Sequence, residues 1–133
     1  MNLVFVDSFF FFAILNPTDA AHLHAVGFSK QHAARLLTTT WILTEVADGL
    51  ARSAHRSVLK RLVSTFRAVP ANEIVETTDH LFNQGIELYD ARADKQWSLT
   101  DCLLFVVMRQ RGIQDALTSD HHYEQAGFTA LLK

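Results

Sequence analysis

One cysteine in 133 residues excludes an internal disulfide and any cysteine-based metal cage, and the apolar neighbours of Cys102 mark it as a small core residue. Two prolines and five glycines are too few for a fibrous or linker-rich chain. The longest apolar run is interrupted at Asp7 and is too short to cross a bilayer, and the first residues lack the basic cluster and small-residue cleavage site of a secretion signal. A cytoplasmic protein with no membrane partner is the expectation. Nor are basic residues in excess. Twelve Lys and Arg stand against 14 Asp and Glu, which argues against indiscriminate binding to nucleic acid or acidic lipid. The chain has no Gly-rich phosphate loop and no HExxH, so P-loop nucleotide triphosphatases and metalloproteases of that type are removed.

What is present suits one compact domain over residues 1–133, long enough to bury about two-thirds of its unfolded surface. Charge is unevenly spread. From Val46 to Asn72, Asp48 faces Arg52, Arg56, Lys60, Arg61 and Arg67, whereas Glu73 to Asp101 carries seven acids against Arg92 and Lys95.

"NLVFV" reads as a short buried strand that leads directly into a helix, which places Asp7 at the strand's carboxyl end. "NPTDAAHLHAVGF" reads as a turn with a short helix, "SKQHAARLL" as another helix and "TTTW" as a second strand. Ile42 to Arg67 is helical with a break around Ser53 to His55, and "NEIVET" is a third strand. Thr78 or Asp79 can cap "HLFNQGIELYDA". After the polar loop "RADKQW", "SLTDCLLFVVMRQRG" has a capping serine, an apolar body, arginines in the last turn and a glycine stop, so it is a helix with legible ends. "DALTSD" supplies a fourth strand ending at Asp120, "HHYEQAG" a short helix and "FTALL" a last strand. This alternation gives an α/β fold: a three-layer α/β/α sandwich around a parallel sheet of four to five strands, with its ligand crevice outside the strands' carboxyl ends.

Four carboxylates can meet at that rim. Each has a purely structural explanation: Asp7 and Asp120 can cap helices, Asp101 fits a capping box with Ser98, and Glu45 can face solvent. Their joint placement changes the balance. Unit charges about 4 Å apart repel by roughly 4 kcal/mol at an effective dielectric of 20, so such a cluster raises pKa values or recruits cations. Magnesium and manganese suit an all-oxygen donor set completed by water and phosphate.

Taken in order, "FVDS", "TWILTEV", "WSLTDC" and "LTSDHHYEQAGF" resemble the PIN-domain family over nearly the whole chain, and within it the VapC-type ribonuclease toxins of bacterial toxin–antitoxin pairs. The resemblance implies an endoribonuclease that uses Mg2+ or Mn2+, with Asp7, Glu45, Asp101 and Asp120 as the acidic metal and catalytic site, and Ser8, Asp94 and Ser98 as supporting polar groups. It also implies an RNA substrate, an antitoxin partner and a homodimer. Phe9 stands where the family frequently has a small or polar residue. Arg52, Arg56 and Lys60 are spaced four apart and would form one RNA-gripping face if their helix is continuous.

Two other readings compete. A catalytically silent PIN-like module would bind RNA or a protein without turnover, and the phenylalanines at positions 9–12 bear on it because four consecutive rings point all round a helix. Core burial accounts for them more simply. A receiver or phosphatase of the doubly wound class also begins with an aspartate ending strand one, but Phe9 stands where phosphatases of that kind have a second aspartate. His121 and His122 would lie about 100° apart on a helix, which argues against zinc and leaves the histidines as surface or partner residues.

Overall fold

In the computed structural model, which describes residues 2–31 and 34–133, β1 (Leu3–Val6) is the middle strand of a five-stranded, all-parallel sheet ordered β3-β2-β1-β4-β5. Its flanks are β2 (Arg35–Thr39) and β4 (Asp115–Leu117), and the edges are β3 (Glu73–Val75) and β5 (Thr129–Ala130). Phe5 lies in register with Leu37 on one side and Ala116 on the other, all fully buried. Strands covered on both faces read as near-continuous apolar runs, which is why "LVFV" has no alternation.

The connections fix the layers. Right-handed crossovers place α1 (Ser8–Leu15), α2 (His22–Gln31), α3 (Thr40–Leu50) and α4 (Val58–Ala68) on one face. The chain then reverses direction from β3 to β4, so α5 (Asp79–Ala91), α6 (Leu99–Gln110) and α7 (His121–Gln125) cover the other face. Phe10 and Phe11 are buried, while Phe9 and Phe12 pack against the core from partly buried positions, so core packing accounts for all four rings. On the opposite face Phe105 of α6 is fully buried among the rings of Trp97, Tyr123 and Phe128, with centroids 5.1, 5.2 and 5.6 Å away.

Helices α5 and α6 pack tightly at Gly85, where an added Cβ would stand 2.4 Å from Leu103 Cδ2 and 2.9 Å from its Cγ. Gly85→Ala gains about 1 kcal/mol of helix propensity but forces Leu103 to shift, and overpacking typically costs 1–3 kcal/mol. We expect a net loss of about 1 kcal/mol, read as a lowered urea midpoint with unchanged m-value.

Several boundaries differ from the sequence reading. The second strand is "RLLTT" and not "TTTW": Arg35 to Leu37 pair with Leu3 to Phe5, and the Thr39 hydroxyl accepts from the Ile42 amide to start α3, which puts Trp41 in the helix. Pairing with the central strand overrides the helical preference of Arg and Leu. One helix, α2, replaces the two expected between Asn16 and Leu37, and His32 and Ala33 of the second lie outside the described residues. β4 ends at Leu117, three residues before Asp120. Only Thr129 and Ala130 of "FTALL" are strand, although the amides of Leu131 and Leu132 still donate to Ala116 and Thr118 carbonyls.

Candidate active site

The order 3-2-1-4-5 reverses between β1 and β4, and in sheets of this kind the ligand position lies outside the carboxyl ends of the two strands at that switch point. Asp7 follows β1 directly and caps α1, accepting from the Ser8 amide at 2.8 Å. Its other carboxyl oxygen accepts from the buried Thr118 hydroxyl at 2.7 Å, one residue past β4. Thr118 Oγ1 in turn accepts from the Asp120 amide at 3.1 Å, so one hydroxyl links the two strand ends. Asp120 caps α7 through the His122 amide at 2.9 Å. Asp101 is reached from α6: Ser98 Oγ accepts from the Asp101 amide, and the Asp101 carboxylate accepts from the Ser98 amide, a complete capping box. The structural explanation for Asp101 is therefore correct but incomplete, since the same carboxylate oxygen meets His122 Nδ1 at 3.1 Å.

Electrostatics tie the acids together. Burial pushes the Asp7 carboxyl above its ordinary range against the lowering effect of its hydrogen bonds to Thr118 and Ser8, and the charge of Asp120 adds to the rise. Desolvation, followed by the charges of Asp7, Asp101 and Asp48, raises Glu45 to about 7. Glu45 is exposed as a residue, so only its carboxyl end feels the cluster and water screens part of the repulsion. Among the described residues no Lys or Arg forms an ion pair with any of the four acids.

The tyrosine next to His122 sharpens the picture. Tyr123 is buried with its hydroxyl beside the Asp7 carboxylate, and burial, followed by the charge of Asp7, raises its pKa well above normal. Asp7 and Glu45 have no cationic partner among the described residues, whereas Asp101 and Asp120 meet His122, and oxygen donors of this kind suit a hard divalent cation.

A pH dependence follows. Between about 4.5 and about 7 the folded chain holds a proton on Glu45 that the unfolded chain has released. Metal-free stability therefore falls as pH rises through this window, with Asp7 acting in the same direction. Urea unfolding across the window should show a flatter profile for Glu45→Gln than for the parent chain.

The remaining expected residues divide. Ser8 and Ser98 lie at the site through backbone and capping bonds. Asp94 sits in an exposed bidentate pair with Arg92, at 2.9 and 3.0 Å, and none of its hydrogen bonds or ion pairs reaches the four acids. The single basic face is not formed, because α3 ends at Leu50 and turns occupy the stretch up to α4. Arg52 and Arg56 lie in those turns, and Arg56 donates to the Ala51 carbonyl at 3.0 Å. Arg56 and Lys60 do line a cleft between α3 and α4, together with Arg67. Thr118, His122 and Tyr123 were not anticipated as site residues, and His122 is not a surface group, whereas His121 is exposed. The one signal for those three was position, each within three residues of Asp120.

A PIN-domain family model matches residues 4–129. The chain belongs to the PIN-domain family. The 23S rRNA-specific endonuclease VapC20 of Mycobacterium tuberculosis, from strains CDC 1551 / Oshkosh and ATCC 25618 / H37Rv, is 28% identical to this PIN domain over 127 residues, 95% of each chain. The crystal structure of Mycobacterium tuberculosis VapC20, described as a sarcin-ricin loop cleaving toxin, superposes with a TM-score of 0.83 at 26% identity and covers 95% of this chain and 96% of its own.

Proposed function

We propose that this PIN domain is a divalent-metal-dependent endoribonuclease and the toxin of a bacterial toxin–antitoxin pair. The observation that carries the reading is the mutual influence of the acids beside the β1 and β4 ends: the charges of Asp7 and Asp101 push Glu45 up and that of Asp120 pushes Asp7 up, with no Lys or Arg ion pair to any of them among the described residues. Family membership and the likeness to VapC20 support the same chemistry. Asp7 and Asp101 are the direct ligands for Mg2+ or Mn2+, with Glu45 and Asp120 completing the set. A bound divalent ion supplies Lewis acidity toward a scissile phosphate and acidifies water at the site. The protein's share is placement: Thr118 and the Ser8 amide hold Asp7, the capping box holds Asp101, and the Asp120 cap sets the start of α7. Glu45 must shed its proton to join the ligands, so metal binding near pH 7 releases protons.

An antitoxin, a second copy of the chain and a cytoplasmic setting belong to this proposal. No described helix is long and apolar enough to cross a membrane. Purified chain incubated with mixed RNA should cleave it in magnesium or manganese and stop on chelation. Measurable Mn2+ affinity without cleavage of any RNA would point instead to a silent module.

A further inference from the structure

The proposed chemistry leaves unused the ion pair that follows α5 and the cavity beside it. A cavity of about 490 Å³ opens between the last turn of α5, the loop after it and the first turn of α6, with Tyr89, Arg92, Lys95, Trp97 and Ser98 among its lining residues. Small-ligand sites fall in a range of about 300–1,000 Å³. Its position gives it meaning. Ser98 is the residue whose hydroxyl and amide bond Asp101, so the cavity adjoins the acidic site.

One wall is built in layers. Trp97 is buried, its Nε1 donates to Gln125 Oε1 at 3.0 Å, and its ring meets Phe105 edge to face at 5.1 Å. The Arg92 guanidinium lies over that indole, 5.0 Å from the ring centre. Asp94 grips the same guanidinium along one edge, accepting from Nε at 2.9 Å and from Nη2 at 3.0 Å. Exposed ion pairs contribute little to stability, so this one is explained better by the plane it fixes. With 36% of its side chain exposed, Arg92 keeps part of that plane open. Tyr89 adds a second ring to the same cavity, 53% exposed. Charge alone does not recommend an acidic ligand here, because Asp90 on the lining and Asp94 offset Arg92 and Lys95. Planar faces recommend a planar one. Bases of single-stranded RNA stack on aromatic rings and on arginine guanidinium planes.

We propose that this cavity is a stacking subsite for an unpaired nucleobase of RNA next to the scissile phosphate, with Arg92 and Tyr89 as its stacking faces and Asp94 as the residue that positions Arg92. The inference rests on the reading of the chain as a ribonuclease and gives the neighbouring nucleotide a place. It also gives Asp94, which bonds none of the four acids, a task at the substrate.

Fluorescence anisotropy in chelator isolates the base from backbone charge and from catalysis, using a labelled single-stranded RNA of mixed sequence beside an abasic ribose-phosphate strand of the same length. The parent chain should bind the RNA about tenfold more tightly than the abasic strand. Arg92→Ala should erase that preference, and Arg92→Lys should nearly do so, since lysine keeps the charge and loses the plane. Asp94→Asn and Tyr89→Ala should each reduce it. Arg109→Ala, which removes a charge at the far end of α6, should leave it unchanged. Near-ultraviolet circular dichroism confirms that each variant is folded. In magnesium the loss in Arg92→Ala should appear in KM for RNA with kcat retained. A parent chain that does not distinguish the two strands overturns the subsite, as does a preference that survives in Arg92→Ala or is fully restored by Arg92→Lys. Binding of an oligoglutamate peptide that is lost in Arg92→Ala, with RNA affinity unchanged, assigns the cavity to a protein partner and overturns it too. A base preference that needs Arg92 in a chain that cleaves no RNA upholds the subsite and contradicts the ribonuclease reading.

Discussion

Asp7→Asn is expected to reduce RNA cleavage by roughly a thousandfold or more, because it removes a ligand from the centre of the site and not a peripheral contact. The same substitution should leave the fold intact and stabilise the metal-free chain at pH 7. The Asn carbonyl still accepts from Ser8, and its amide meets the Thr118 hydroxyl, which can rotate to accept. What disappears is a buried charge held near Asp120 and Glu45. Since burial raises the folded-state pKa of Asp7, the native state binds more protons than the unfolded one above the ordinary carboxylate range, and ionisation works against folding there. Activity assays on Asp7→Asn, paired with urea unfolding in chelator, check both halves. Loss of cleavage accompanied by loss of stability would mean that Asp7 is a structural cap alone.

Phe105→Ala should have the largest effect on stability, about 3–5 kcal/mol. Against a total of 5–15 kcal/mol for a typical domain, that approaches unfolding. Phe105 has no solvent exposure and touches Trp97, Tyr123 and Phe128, so its ring joins the loop before α6, α7 and the approach to β5. The loss therefore reaches the site, because Tyr123 and His122 occupy the helix that this ring supports. Phe105→Leu keeps most of the volume and should retain cleavage with a smaller loss. Thermal unfolding of both variants separates packing from chemistry: cleavage should recover as the ring's volume is restored, which no catalytic role for Phe105 would explain.

Much of this was legible in the residues. "NLVFVDS" announces a buried strand with an acid at its end, and "SLTDCLLFVVMRQRG" announces a capped helix down to its glycine stop, because caps and apolar runs are local signals. "RLLTT" was not legible. Nothing local distinguishes it from a helix, and its strand identity comes from pairing with β1 some 30 residues away. Asp7, Asp101 and Asp120 could be listed from their positions at element ends and Glu45 from its place on the helix after β2, yet the Thr118 bridge to Asp7 joins residues separated by 111 positions. His122 was discounted because adjacent residues diverge on a helix. At the first turn of a short helix, however, both rings of the pair still reach Asp120. The basic face depended on a helix unbroken from Arg52 to Lys60, and the break expected around Ser53 to His55 is present as the turns between Leu50 and Val58.

The central claim is that folding gathers mutually repelling carboxylates that a divalent ion relieves. Thermal unfolding of the parent chain and Asp7→Asn at pH 7.5, titrated with MnCl2, addresses it most directly. A ligand at about a hundred times its dissociation constant stabilises by about 2.7 kcal/mol, which for a domain of this length is a rise of several degrees. The parent chain should show that rise, and Asp7→Asn should start higher and respond little. A parent chain indifferent to manganese, or a variant that responds equally, would contradict the account.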